Sequence, residues 1–170
     1  MPKLLLLLLL FLIPLISCTE GWTGEKENIY LQNRNGIKYE VNSEVGFTGK
    51  YVKYYENEQK FVEENYKNGK KDGLKTGWIS NGQKWFETNY KNGKREGRST
   101  DWFFRINQKR FEKKYKNDKR DGLWSSWYEN GQKSYEGNYK NGKREGFWTS
   151  WNKEGNVTKT ETYKDGKLVK

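Results

Sequence analysis

Residues 139–143, Tyr-Lys-Asn-Gly-Lys, decide the fold because this pentapeptide recurs along the chain. The same five residues begin at Tyr66 and Tyr90, and near copies begin at Tyr115 (Tyr-Lys-Asn-Asp-Lys) and Tyr163 (Tyr-Lys-Asp-Gly-Lys). Successive copies start 24, 25, 24 and 24 residues apart. A fixed period in this range is typical of repeat proteins, in which one supersecondary unit is copied and stacked. A residue that recurs in every copy is therefore weak evidence for a unique active site.

Each unit contains two runs rich in aromatic residues, Ser and Thr, which favour strands. Asn-Gly marks both ends of a unit, as in Asn130-Gly131 and Asn141-Gly142, and supplies the positive φ angles of tight hairpin turns. No stretch shows sustained helical spacing of apolar residues. We therefore predict an all-β fold: a single twisted antiparallel meander sheet built from about five stacked β-hairpin repeats of 24 residues.

Aligned on the glycine that precedes each copy, the repeats occupy residues 49–72, 73–96, 97–121, 122–145 and 146–170, with a partial first unit at 35–48. The third unit has one extra residue around Arg105–Asn107 and carries Asp118 in place of a turn glycine. The last unit degenerates at Asn156–Lys159, as expected of a terminal cap. Because only the third unit breaks the internal pattern, we predict that specificity lies around Arg105–Asp118.

Two aromatic columns follow from the repeat, and we expect both to be mainly structural. They could also stack on sugar rings or nucleobases. The first column is Tyr54, Trp78, Trp102, Trp127 and Trp151; the second is Tyr66, Tyr90, Tyr115, Tyr139 and Tyr163. A further position reads Val62, Phe86, Phe111, Tyr135 and Lys159. A two-residue loop at Asn130-Gly131 would put aromatics on both faces, whereas a three-residue loop would reverse one strand, so the buried face is left open.

The stretch Tyr135–Lys143, followed by Gly146, resembles the MORN repeat in its bacterial variant form. The resemblance covers Gly49 to Lys170 and implies a single twisted sheet of stacked hairpins. Bacterial proteins with this variant are often labelled antitoxin components. MORN repeats also accompany lipid kinases, but no kinase residues occur in this chain.

Residues 1–17 form a predicted lipoprotein signal peptide. Lys3 precedes the apolar run Leu4–Ile13, which is shorter than the roughly 20 residues of a membrane span. Leu15–Cys18 resembles a bacterial lipobox, and Cys18 is the single cysteine of the sequence. We therefore predict lipidation at Cys18, such as by palmitate, followed by a tether over residues 18–34. An ordinary signal peptide with an incidental cysteine, or an uncleaved anchor, are the alternatives.

Lipidation would place the chain in the bacterial cell envelope, outside the cytoplasm and tied to a membrane by its acyl chains. Thr19 after the cysteine, where an aspartate usually signals inner-membrane retention, favours the outer membrane in a cell with two membranes. An exported protein is an unsuitable binder of nucleic acid. The oligomeric state and the orientation, towards the periplasm or the cell surface, are not predicted.

The composition gives no support for catalysis. The chain has no histidine and one cysteine, which removes the Ser-His-Asp and Cys-His sites and the common zinc ligand sets. No phosphate-binding glycine loop is present. Carboxylate pairs could in principle cleave glycosides, but the acidic residues recur at equivalent repeat positions, as Asp72, Glu96, Asp121 and Glu145 do. We predict no enzyme activity, no catalytic residue, no cofactor and no metal.

The positive functional signal is lysine on both sides of each repeated turn, in a chain of net charge +11. Hairpins that follow one another at about 10 Å would align these lysines along one edge, where they could hold anionic glycans, lipid head groups or an acidic protein. They could instead simply keep the sheet soluble and discourage edge association. The residues are Lys67, Lys70, Lys91, Lys94, Lys116, Lys119, Lys140, Lys143, Lys164 and Lys167.

Together these features predict a non-enzymatic, membrane-anchored repeat module that binds a protein or an anionic envelope polymer through a basic β-sheet. The alternative is an immunity or antitoxin-like lipoprotein that neutralises a toxin by protein–protein binding.

Overall fold

The structure is a computed structural model that describes residues 29–104 and 106–169. The predicted signal peptide, the lipidation site Cys18, most of the tether and Arg105 lie outside the described residues. All regular elements described are strands: β1 (Leu31–Arg34), β2 (Ile37–Glu40), β3 (Gly49–Tyr54), β4 (Lys60–Lys67), β5 (Lys70–Trp78), β6 (Lys84–Lys91), β7 (Lys94–Trp102), β8 (Lys109–Lys116), β9 (Lys119–Trp127), β10 (Lys133–Lys140), β11 (Lys143–Trp151), β12 (Val157–Lys164) and β13 (Lys167–Leu168).

Strands β3 to β13 form one 11-stranded sheet in which every strand pairs antiparallel with its neighbours in sequence. The predicted all-β antiparallel meander of repeated hairpins is confirmed. Strands β1 and β2 form a separate two-stranded sheet, so this hairpin extends into the segment that the sequence analysis assigned to the tether. It is held to the first repeat where the Lys38 N–H donates to Gly69 O at 2.8 Å and the Gly69 N–H to Phe47 O at 2.7 Å.

The Tyr-Lys-Asn-Gly-Lys copies form two-residue turns, as the sequence predicts. Lys67 pairs with Lys70 across Asn68 (φ 50°) and Gly69 (φ 74°). Positive φ at both central residues defines the type I′ turn, whose twist matches that of the flanking strands. In the third repeat Asp118, at φ 66°, takes the place of glycine. Such strain is tolerated best by Asn, Asp and Gly, which explains why these positions vary so little.

The opposite ends of the hairpins close with three-residue loops. The Tyr128 N–H donates to Gln132 O at 2.8 Å, and the Gly131 N–H donates to Tyr128 O at 3.0 Å, the pattern of a turn that ends in a glycine bulge. A second irregularity then falls between Lys133 and Tyr135. A three-residue loop alone would have exchanged the two faces of the following strand, and this irregularity restores the original alternation of side chains between the faces. The loop length that the sequence left open is therefore three residues.

The two sheet faces therefore carry different side chains. The tyrosine face bears Tyr66, Tyr90, Tyr115, Tyr139 and Tyr163, and the tryptophan face bears Trp78, Trp102, Trp127 and Trp151. The most deeply buried large side chain is Trp148, which is 1 % exposed. On the tyrosine face its ring centroid lies 5.0 Å from that of Tyr139 and 5.2 Å from that of Tyr135. A chain poor in aliphatic residues thus builds its core from aromatic rings.

Candidate binding surfaces

The ten turn lysines lie side by side along one edge of the 11-stranded sheet, here called the lysine edge. The partners of each turn face each other in the register, as Lys91 faces Lys94 and Lys140 faces Lys143. All ten are exposed. None of them forms an ion pair with another residue of the described ranges. The lysine edge is therefore a row of exposed lysines with no ion pair to another described residue.

Carboxylates behind the lysine edge hold successive turns together. Each accepts a hydrogen bond from the backbone N–H of the first turn residue in the next repeat: Asn92 to Asp72 at 2.9 Å, Asn117 to Glu96 at 2.8 Å, Asn141 to Asp121 at 3.0 Å and Asp165 to Glu145 at 2.9 Å. Further backbone bonds, such as Gly142 N–H to Arg120 O at 2.7 Å, run parallel to them. These acidic residues have a structural role that fixes the spacing of the lysines, in agreement with their repeated position.

A column of basic residues directly after the turns was missed by the sequence analysis. Each member lies over the tyrosine ring of the next repeat, with charge-to-centroid distances of 5.4 Å for Lys71–Tyr90, 4.2 Å for Arg95–Tyr115, 5.0 Å for Arg120–Tyr139 and 5.0 Å for Arg144–Tyr163. Such cation–π contacts link neighbouring repeats. In the sequence these residues are visible as a basic residue that follows the second lysine of each of the first four turns. Their tyrosine partners become evident only from the pairing of the strands.

On the tryptophan face, every tryptophan of the first column lies near a lysine of the preceding hairpin. The Nζ-to-centroid distances are 5.6 Å for Lys60–Trp78, 5.9 Å for Lys84–Trp102, 5.9 Å for Lys109–Trp127 and 5.7 Å for Lys133–Trp151. The same lysines pair with Glu63, Glu87, Glu112 and Glu136. Burial alone would raise the pKa of Glu136, but hydrogen bonds from Lys133 and Ser125 lower it. The charges on this face are therefore largely compensated.

A buried carboxylate lies in the first repeat on the tyrosine face. Glu64 Oε1 is 2.8 Å from Nζ of both Lys71 and Lys75, and its Oε2 accepts a hydrogen bond from the Tyr66 hydroxyl at 2.7 Å. Burial alone would raise the pKa of Glu64, but the hydrogen bonds from Lys71, Lys75 and Tyr66 lower it to about 2. The sequence analysis did not predict this cluster. Of the other repeats, the last has a carboxylate at the equivalent position, Glu161, which accepts a hydrogen bond from the Tyr163 hydroxyl at 3.3 Å.

Exposed aromatic side chains meet where the irregular third unit borders the second. Phe104 is 62 % exposed and its ring lies 6.2 Å from that of Trp85, which is 43 % exposed. The hairpin loop is one residue longer there, because the Phe103 N–H donates to Gln108 O at 2.9 Å where other repeats close after three residues. Asp118 binds back to Arg95 through its carboxylate at 3.1 Å. Specificity around residues 105–118 stays a prediction.

Within residues 29–104 and 106–169, no group of three or more His, Cys, Asp or Glu side chains could hold a metal ion. Over the same ranges, no helix has the length and apolar character needed to cross a membrane.

Comparison with protein families gives three matches to the MORN repeat variant, at residues 47–68, 71–92 and 120–141. The matched segments correspond to the hairpins β3–β4, β5–β6 and β9–β10, and they do not include the irregular third hairpin or the degenerate last one. No curated protein matches the chain. MORN repeats are in general non-enzymatic modules that bind proteins or membranes. Three hairpins of the sheet therefore match the MORN repeat variant.

Proposed function

We propose that this protein is a non-enzymatic, membrane-anchored repeat module whose lysine edge binds an anionic polymer of the bacterial cell envelope. The observation that carries the proposal is the row of ten exposed turn lysines, none of which has an ion-pair partner among residues 29–104 and 106–169. A lysine that only keeps a sheet soluble has no need of a fixed position. These lysines are held at a constant spacing by hydrogen bonds between the turns.

The charge balance at this edge favours an anionic partner. The five turns and the two residues that follow them carry fourteen basic side chains and six carboxylates. Five of those carboxylates already accept backbone N–H groups. Neighbouring hairpins are about 10 Å apart, so a polymer with regularly spaced carboxylates or phosphates could contact several turns at once. Many weak contacts of this kind add up to useful affinity.

The anchor in this proposal is lipid on Cys18, supported by the apolar segment and the lipobox-like Leu15–Cys18. A single acyl chain gives only marginal membrane binding, and a second chain or a polybasic surface makes it stable. The lysine edge could supply that second attraction to an anionic leaflet. An exported, lipidated module would thus stand at a membrane with its basic edge available to envelope polymers.

Binding is tested with the full chain purified in detergent, on an immobilised polyanionic glycan and on vesicles with or without phosphatidylglycerol. Changing Lys91, Lys94, Lys140 and Lys143 to Gln should weaken binding about 30-fold, if each exposed contact contributes about 0.5 kcal/mol. The matched control neutralises Lys53, Arg98, Arg110 and Lys153, which are exposed but lie outside the turns. It should leave binding within about twofold, apart from a general charge effect.

Binding should also weaken as salt rises, because exposed charges are screened within about 8 Å at physiological ionic strength. Equal losses in both variants, or indifference to salt, would contradict the proposal. Capture of one stoichiometric protein in place of a polymer would support the toxin-neutralising alternative. The anchor has a separate test: Cys18→Ser should move the protein from the membrane to the soluble fraction, and unchanged fractionation would rule out lipidation.

A further inference from the structure

A cleft of about 500 Å³ lies on the tryptophan face between the loops of the hairpins β5–β6 and β7–β8. Its lining residues are Gly82, Gln83 and Lys84 from the first loop, and Trp102 and Asn107 from the second hairpin. This volume is within the usual range of small-ligand sites, roughly 300–1,000 Å³. The cleft is at the opposite end of the strands from the lysine edge, so the function proposed above makes no use of it.

The cleft opens where the repeat is irregular. At a regular boundary the loop glycine lies against the glutamine of the preceding loop: a Cβ on Gly131 would be 3.4 Å from Gln108 Oε1. The corresponding position beside Gln83 belongs to the longer loop and is filled by Asn107 instead of glycine. At this boundary a longer loop thus stands where other boundaries have a close glycine–glutamine contact, and Trp102 lines the cleft beside it.

The chemistry of the cleft suits an uncharged polyol. Trp102 is half-buried and provides a flat apolar surface, and Gln83 and Asn107 add amide groups around it. Gln83 Oε1 accepts a hydrogen bond from Asn81 at 3.0 Å, which holds the side chain in place. Lys84 is paired with Glu87, so an anionic ligand would have to compete with that carboxylate. An aromatic floor with polar groups at its rim matches the apolar faces and hydroxyl edges of a sugar ring.

The same residue set recurs along the tryptophan face. At three more boundaries a lysine that follows a glutamine in the sequence lies near the tryptophan of the next hairpin: Lys60 near Trp78, Lys109 near Trp127, and Lys133 near Trp151. Successive tryptophans are about 10 Å apart, by the spacing of two strands. An extended β-linked glycan repeats over a similar length, that of one disaccharide. A row of four tryptophan rings at this spacing thus suits a chain of sugars better than a single sugar ring.

We propose that the cleft at Trp102 is a binding subsite for an uncharged, extended β-linked glycan, and that Trp78 and Trp127 on either side offer additional stacking surfaces. The lysine edge and the tryptophan face then carry two separate binding sites on one sheet. The tryptophan face binds a neutral sugar chain through stacking and hydrogen bonds, whereas the lysine edge binds negative charge.

The test is isothermal titration calorimetry of the full chain with chitotetraose and cellotetraose, two uncharged β-1,4-linked tetrasaccharides. At least one should bind, with an affinity that does not change between low and high salt. Trp102→Ala should weaken binding at least tenfold. Because that change could also disturb the sheet, the double variant Gln83→Ala/Asn107→Ala serves as a second probe and should weaken binding about three- to tenfold.

Two controls make the outcome specific. Trp85→Ala removes an exposed tryptophan outside the cleft and should leave affinity unchanged, as should the four turn-lysine substitutions that weaken polyanion binding. Absence of binding to both sugars would overturn the inference, as would equal losses in the Trp102 and Trp85 variants. Absence of sugar binding would not affect the salt-dependent binding of polyanions to the lysine edge. The two proposals can therefore be refuted independently.

Discussion

Replacing Glu64 by Gln should destabilise the first repeat in a way that depends on pH. Glu64 is 7 % exposed and receives hydrogen bonds or ion pairs from Lys71, Lys75 and Tyr66. Glutamine has nearly the same shape, but it cannot carry the charge that these donors stabilise. Lys71 and Lys75, which both belong to β5, would then lie near each other without a counter-charge. The effect of the substitution therefore isolates the electrostatic part of the cluster from its packing.

The magnitude follows from the pKa. Its ordinary value of 4.5 falls to about 2 in the folded protein, and each tenfold change in proton affinity is worth about 1.4 kcal/mol. The ionised carboxylate therefore contributes about 3 kcal/mol at neutral pH. Because the folded pKa is lowered, this stability is complete above about pH 5, about half remains near pH 3, and most is lost by about pH 2. Glu64→Gln should thus cost about 3 kcal/mol at pH 7 and about half as much at pH 3.

The assay has to report on the first repeat, since stacked units can open locally without global unfolding. Native-state hydrogen exchange of the β4 and β5 amides, measured at pH values between about 3 and 7 in low urea, meets this need. Glu129→Gln is the matched control, since that glutamate is an exposed loop residue, and it should change stability by less than about 0.5 kcal/mol. A loss that is the same at both ends of the pH range, or below about 1 kcal/mol at pH 7, would refute the electrostatic reasoning.

Two further substitutions test the packing and the turn contacts. In Gly137→Ala the new Cβ would lie 2.1 Å from a ring atom of buried Trp148, so the ring must shift at a cost of about 2 kcal/mol in urea unfolding; an equal cost in a Trp148→Phe background would show that the ring is not responsible. Asp121→Ala removes the acceptor of the Asn141 N–H and should cost about 1 kcal/mol with faster exchange of that amide. Asp121→Asn keeps an acceptor oxygen, so similar exchange in the two variants would argue against this contact.

The features that the sequence predicted are those set by local conformation. Asn141-Gly142 selects a two-residue turn because few residues tolerate positive φ at both positions, and a period of 24 residues then dictates stacked hairpins. The buried face was harder to assign, because the loop after Tyr128 and the irregularity at Lys133–Tyr135 each shift the alternation by one residue. Their effects cancel, and no local signal states that they do.

The contacts that the sequence did not predict depend on which residues meet across strands. Arg95 over Tyr115 and Glu64 between Lys71 and Lys75 join residues from neighbouring strands or repeats. Their identities are plain in the sequence, but a shift of one residue in register would place them on opposite faces. The cleft at Trp102 adds a third case, since the longer loop was visible at Asn107 while the space it opens was not.

One repeat unit can supply two binding surfaces because the two ends of its strands are chemically independent. At the turn end the carboxylates are engaged by backbone N–H groups, and the lysines are exposed to solvent. At the loop end each lysine is neutralised within its own strand, as Lys84 is by Glu87, and the tryptophan beside it is left in an uncharged setting. A nine-residue strand such as β7 spans about 30 Å, which is several screening lengths at physiological salt. Substitutions at one end should therefore leave binding at the other unchanged.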